Sequence, residues 1–404
     1  MLSARTSLVV GILAIVSAGH AAASFDFAQD SPEQRRGAQP RVVDLSAPDS
    51  LTLKATVFTA STPGPGVLLL HQCNRQRAIW NGLAQRLASA GFHVLTMDLR
   101  GFGESAGDRY DGLSPAAQAK QQALWPGDID VAFRYLVSQP DVSREVIGVG
   151  GASCGVNNAI NTARRHPEVK SLVLLSGSSD LEGRRFLRSG RPVPAFLALA
   201  ADDEFPVSVL TTQWLYGLTA APKKKLVRYD KGGHGADMFG PHPELTDAIV
   251  DWFRATLVAS PARAPIPVDS SGVANEYERL ALIDEPGGPS KLAQQLVEAR
   301  RNDPDATLFP ETLVNSVGYE YLQSGAVAHA IDVFALNVSA FPRSPNAYDS
   351  LADGYLAGGQ KELSRLNAQK ALDLLASAND VPQQFREAIR ESAEQKLKQL
   401  GAAR

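Results

Sequence analysis

Apolar residues along this chain recur at two spacings, and the changes from one to the other mark out its elements. Leu51 to Phe58 alternates with period two, as a strand with one buried face does. Gly66–Leu70, Phe92–Met97, Val146–Gly150, Val169–Leu175, Ala195–Leu199 and Leu226–Tyr229 are short, nearly unbroken apolar runs, which predict buried strands. Between them the spacing lengthens: Ile79, Leu83, Leu87 and Ala90 share one helical face, and 129–136, 157–165 and 245–257 read as further helices. Strands and helices alternating at this pitch predict βαβ units, hence a mostly parallel sheet with helices on both faces over residues 42–257. Ligands of such sheets bind beyond the carboxyl ends of the strands.

The flanks differ in character. Arg5 followed by the apolar stretch Leu8–Ala18 and by Ala21-Ala22-Ala23 reads as a secretory signal over 1–23, too short to span a bilayer comfortably. Residues 24–41 are polar and predict a loose N-terminal arm. A Pro/Ala-rich linker is expected over 258–273, followed by a helical domain over 274–404. With the signal removed, no membrane span is expected, and the protein is expected in the periplasm or secreted, where disulfides persist.

Within the helical part, residues 312–345 and 346–379 align at a shift of 34: Tyr321 with Tyr355, Leu322 with Leu356, Gly325 with Gly359. Val317-Gly318, Tyr321, Ala330, Phe334 and Pro342 resemble a tetratricopeptide repeat; the second copy is degenerate, with Ala352, Ser364 and Ala368 at the glycine, alanine and aromatic positions. The resemblance implies an all-α repeat domain, either a surface for a protein partner or self-association, or a helical cap packed on the sheet domain.

A length of 404 residues fits about two domains, and a formal net charge of −3 offers no basic field for nucleic acid. No metal or cofactor is expected; Asp128 and Asp130 read as a solvated helix start.

Three short pieces carry the chemistry. Gly151-Ala152-Ser153-Cys154-Gly155 follows an apolar strand and opens a helix, the setting of a strained turn that exposes a serine. Asp202-Asp203 and Gly233-His234-Gly235 also follow predicted strands, so all three converge on one sheet edge. The order nucleophile, acid, base is Ser153, Asp203, His234, with Asp202 as the alternative acid.

With Leu68-Leu69-Leu70-His71 before an oxyanion loop and Asp98-Leu99-Arg100-Gly101-Phe102-Gly103-Glu104-Ser105 as a D-x-R-G-x-G-x-S loop, residues 50–257 resemble an α/β-hydrolase of the dienelactone-hydrolase-like branch. In that resemblance Ala200-Ala201-Asp202-Asp203 selects Asp203 as the acid. Dienelactone hydrolases proper carry cysteine at the position of Ser153, which points away from a dienelactone substrate. The family's oxyanion hole implies the N–H of Cys154 and a second N–H from Gln72 or Cys73, while His71 is expected to shape that loop. The chain has two cysteines, Cys73 and Cys154, and both fall beside this hole. Donors that share one oxygen lie close together, so these cysteines are expected to form a disulfide, the alternative being two buried thiols.

Lipases of this fold often carry a long insertion over the site where this chain has only Ser176–Arg191. Its Arg184, Arg185, Arg188 and Arg191 read either as a cationic rim for carboxylate-bearing esters or as a solvated loop. The functional expectation is a serine hydrolase acting on a small-molecule ester or lactone. An oligopeptidase of the same fold, and a scaffold protein working through its repeats, are the alternatives.

Overall fold

The sheet has eight strands: β1 (Arg41–Ser46), β2 (Thr52–Phe58), β3 (Gly64–Leu70), β4 (His93–Met97), β5 (Val142–Ala152), β6 (Val169–Leu175), β7 (Ala195–Ala200) and β8 (Lys224–Tyr229). Their spatial order is β1-β2-β4-β3-β5-β6-β7-β8. β1 pairs antiparallel with β2 and β2 with β4; every later neighbour is parallel. The computed structural model describes residues 39–258, 277, 279–377 and 381–401, all within one unit, Gly37–Arg404. The expected signal, nearly all of the arm and residues 259–273 of the expected linker lie outside the described residues.

Side-chain alternation along each strand feeds two cores. Leu68 and Leu70 of β3 join one apolar cluster, Val67 and Leu69 the other. The first is covered by α3 (Trp125–Ser138), α4 (Cys154–Arg165) and α6 (Pro206–Leu218), the second by α1 (Asn81–Ser89) and α7 (Glu244–Phe253). Burial on both faces is why the parallel strands appear in the sequence as continuous apolar runs.

Three features depart from expectation. The arm predicted over 24–41 ends in the first residue of β1, an edge strand in which only Leu45 is buried, so its sequence carries almost no apolar signal. Two short helices, α2 (Pro115–Gln122) and α5 (Leu181–Ser189), also escape the periodicity reading, because α2 buries only Gln121 and α5 only Gly183, Arg184 and Leu187. The 13-residue α6 likewise lies where no helix is expected.

The C-terminal part is helical: α8 (Gly288–Asn302), α9 (Glu311–Gln323), α10 (Val327–Ala340), α11 (Pro345–Ala357), α12 (Lys361–Leu375) and α13 (Gln383–Gly401). α9 and α11 start 34 residues apart, as do α10 and α12. Leu280, Ile283, Leu313, Val317, Tyr321 and Phe334 belong to the same apolar cluster as β3, β5 and α4. The helical part therefore shares the core of the sheet domain.

Strand register sets up the site. Leu70 is level with Gly151, Ala152 with Leu175, Leu175 with Ala198, and Ala200 with Tyr229. The residues that leave these strands, His71, Ser153, Ser176, Ala201–Asp203 and the loop to His234, all emerge at one edge.

Candidate active site

Ser153 stands at the sharp turn between β5 and α4, with φ +53° and ψ −120°. A serine rarely adopts this backbone, and the neighbours impose it: Ser153 N–H donates to Leu175 O at 2.9 Å, and Ser153 O accepts from Val156 N at 2.9 Å. The two elbow glycines explain the motif spacing. A Cβ on Gly151 would strike the carbonyl of Gly155, and a Cβ on Gly155 would strike the carbonyls of Leu70 and His71. Helix α4 thus begins directly against the end of β3, and Ser153 stays half-buried at the sheet edge.

His234 and Asp203 are buried together, at 3% and 5% exposure. Imidazole Nδ1 lies 2.8 Å from Asp203 Oδ2 and 2.9 Å from Oδ1. A carboxylate only accepts, so Nδ1 carries the proton and Nε2 is left as an acceptor. Asp203 Oδ1 also accepts the N–H of Phe205 at 2.8 Å, and the Phe205 ring meets the imidazole edge-on at 4.6 Å. Asp202, the alternative acid, does not reach the imidazole. Its Oδ1 accepts from Gly233 N at 3.0 Å and Gly232 N at 2.8 Å, and these donors, Gly233 foremost, hold its carboxyl below the usual range. One acid orients the ring; its neighbour fixes the loop that carries the ring.

The loop after β3 is tied to that same loop. Gln72, fully buried, accepts from Ala236 N at 2.9 Å through Oε1 and donates to Asn74 Oδ1 at 2.9 Å. Arg75 reaches both oxygens of Asp237 at 3.1–3.2 Å. The sequence predicts a backbone role alone for Gln72, because a side-chain bond across 164 residues leaves no local signal. His71 is buried and bracketed: Nδ1–H donates to Gln72 O at 2.8 Å, and Nε2 accepts from Leu99 N at 3.0 Å. Burial lowers its pKa and holds it neutral, so it joins the ends of β3 and β4.

Cys73 and Cys154 are joined by a disulfide with their Cα atoms 5.8 Å apart. Cys154 is the first residue of α4, so its N–H has no intrahelical acceptor. The disulfide therefore fastens the residue after Ser153 to the loop after His71.

Behind these loops, charged side chains are buried in pairs. Asp98 accepts from Arg77 N at 2.7 Å and Glu104 N at 3.0 Å, and forms an ion pair with the Arg77 guanidinium. Arg100 grips both oxygens of Asp128 at 2.6 Å and reaches Asp49 at 2.8 Å. The expectation of a solvated start at Asp128 and Asp130 is corrected here: Asp128 is fully buried against Arg100, and Asp130 holds Arg165 at 2.9 Å and His166 at 2.8 Å.

The arginine-rich stretch is also corrected. Arg184 is 2% exposed and engages Asp284 and Glu320 of the helical part. Arg188 donates to Ala281 O at 3.0 Å and to Glu285 at 2.6 Å. Arg191 donates to the carbonyls of Val169, Ala163 and His166. Arg185, paired with Glu182 on its own helix, and Arg188, paired with Glu285, are exposed, while Arg184 and Arg191 are turned to partners within the protein.

The strand order, with its antiparallel first pair and the elbow after the fifth strand, is that of the α/β-hydrolase fold. The profile of a family described as Serine aminopeptidase, S33, matches residues 62–202, which include the elbow and stop one residue short of Asp203. Two Escherichia coli proteins, each described as an uncharacterized 31.7 kDa protein in the traX-finO intergenic region, are 28% and 27% identical over 134 residues, 33% of this chain. That match spans only 44% of each relative's length. Solved structures with a similar fold include an esterase from Pyrococcus furiosus (17% identity, 57% of this chain, 97% of that one, TM-score 0.45). A dienelactone hydrolase from Anabaena variabilis is also similar (20% identity, 55% and 100% coverage, TM-score 0.43). So is an acylaminoacyl peptidase from Pyrococcus horikoshii (14% identity, 60% and 45% coverage, TM-score 0.45).

Proposed function

We propose that the protein is a serine hydrolase that cleaves a small carboxylic ester or lactone through an acyl-enzyme. The observation that carries this reading is the buried Asp203–His234 pair, delivered by strand register to the same sheet edge as a serine held at φ +53°. In this reading Ser153 Oγ attacks the acyl carbonyl and passes its proton to His234 Nε2. Asp203 keeps the other ring nitrogen protonated and stabilises the imidazolium as it forms. The oxyanion is met by the N–H of Cys154 and by that of Gln72 or Cys73, each such donor being worth roughly 3–4 kcal/mol in the transition state. His234 then protonates the departing alcohol, and water, activated by the same ring, releases the acid.

The disulfide and the apolar N-terminal stretch support export to the periplasm or beyond. The shared core supports the helical part acting with the hydrolase domain more than as a detached scaffold. Its partner or self-association through tetratricopeptide-like repeats belongs to the same proposal. With Arg184, Arg188 and Arg191 engaged, selection for carboxylate-bearing esters through that stretch is dropped.

A panel with one acyl group presented as short ester, lactone, aminoacyl amide and peptidyl amide tests the substrate class. Turnover of esters and lactones, without turnover of either amide, is expected. Efficient cleavage of the peptidyl amide would move the assignment to an oligopeptidase.

A further inference from the structure

We infer that Glu320 and Arg184 form a clamp through which the C-terminal helical part positions the nucleophile, so that the helices set the turnover of the hydrolase. The inference rests on the reading of Ser153 as the nucleophile.

The clamp starts at the elbow. Gly177, two residues after β6, lies so close to it that a Cβ there would sit 2.5 Å from Ser153 O and 2.6 Å from Val156 Cβ. The loop from 176 to 180 is held to α4 at Asn157, whose Oδ1 accepts from Ser179 Oγ and from Asp180 N, both at 3.0 Å. Asn157 is four residues beyond Ser153. Any shift of this loop is therefore felt on the two sides of the nucleophile's turn, its carbonyl and the first turn of its helix.

The far side of the loop is held by residues more than 100 positions later. Glu320 of α9 uses its two oxygens separately: Oε1 accepts from Leu181 N at 2.7 Å, and Oε2 accepts from Arg184 Nη1 at 2.6 Å. The same Nη1 donates to Ser179 O at 2.7 Å. Asp284 takes the rest of the guanidinium in a fork, Nε to Oδ2 and Nη2 to Oδ1, both at 2.8 Å, and Tyr321 O–H adds a bond to Oδ1 at 2.9 Å. Arg184 lies 4.8 Å from the centre of the Trp214 ring, so the guanidinium is fixed by its fork and by an aromatic face. The guanidinium is thus a group on which helical part and loop converge.

Glu320→Gln separates this role from plain stability. An amide puts an NH₂ group where the second oxygen stood, so with its oxygen on Leu181 N it meets Arg184 Nη1 donor to donor, although the side chain keeps its size. In the full chain, kcat on a short ester is expected to fall about 10-fold, with KM changed less than about 3-fold, because misplacing the reacting group slows chemistry more than binding. The rate of Ser153 modification by a fluorophosphonate falls in parallel. Lys396→Met is the control: it removes the cation that holds Asp349 and Asp353 at 2.8 and 2.9 Å, away from the loop. It is expected to lower Tm at least as much while leaving kcat and the modification rate unchanged. If Glu320→Gln keeps wild-type kcat and modification rate, or loses no more than Lys396→Met, the clamp is structural only and the inference is overturned. A Ser153→Ala variant that still turned over ester would instead defeat the reading of the nucleophile, so the two failures are distinguishable.

Discussion

Asp203→Asn lowers kcat on a short ester by about 10⁴-fold with little change in KM, while Asp202→Asn costs less than about 10-fold. The two carboxylates are neighbours in sequence with different partners. Asp203 takes the Nδ1–H of His234 at 2.8 Å; an amide there can present its NH₂ group, favouring the tautomer whose Nε2 carries the proton and cannot accept one from Ser153. Asp202 holds the N–H groups of Gly232 and Gly233, which asparagine still holds through its carbonyl oxygen. Steady-state kinetics of both variants at matched pH checks this. Equal losses at the two positions would mean that the loop, and not the ring, is what the acids serve.

Reduction of the Cys73–Cys154 disulfide, or its replacement by two alanines, is expected to destabilise the fold by about 4–5 kcal/mol, the chain-entropy value for closing a loop of this size. The bonded residues are 81 positions apart. Activity is expected to fall by up to about 10²-fold even where the protein remains folded, because both oxyanion donors in the proposed mechanism lie beside this bond. Two other ties lessen the activity loss: Gln72 remains bonded to Ala236 N, and Arg75 to Asp237. Melting curves and kcat with and without reductant, alongside a thiol count, measure both effects. Two free thiols with unchanged melting and unchanged kcat would show that the disulfide is idle.

Which parts of this molecule could be read without coordinates follows from how far apart the interacting residues lie in the chain. Strand β7 was legible because burial on both faces makes a strand apolar along its whole length, as in Ala195–Ala200, and β3, β5 and β6 were legible through their apolar second halves. The positions gathered at the sheet edge were legible because each follows such a strand within a few residues. β1 was not, since it buries only Leu45. Charges misled most. Arg184 and Asp128 read as solvent-facing because polar residues usually are, yet their counter-charges lie 100 and 28 residues away and bring both into the interior. The side chain of Gln72 and the whole join between α5 and the helical part were invisible for the same reason.

The proposed mechanism requires Ser153 to be a hydroxyl made reactive by His234. Treating the full chain with a fluorophosphonate and mapping the adduct by peptide mass spectrometry tests this directly. One adduct is predicted, on Ser153, absent in Ser153→Ala and strongly slowed in His234→Ala. A wild-type protein that is folded but unlabelled, or an adduct that persists in Ser153→Ala, would contradict it.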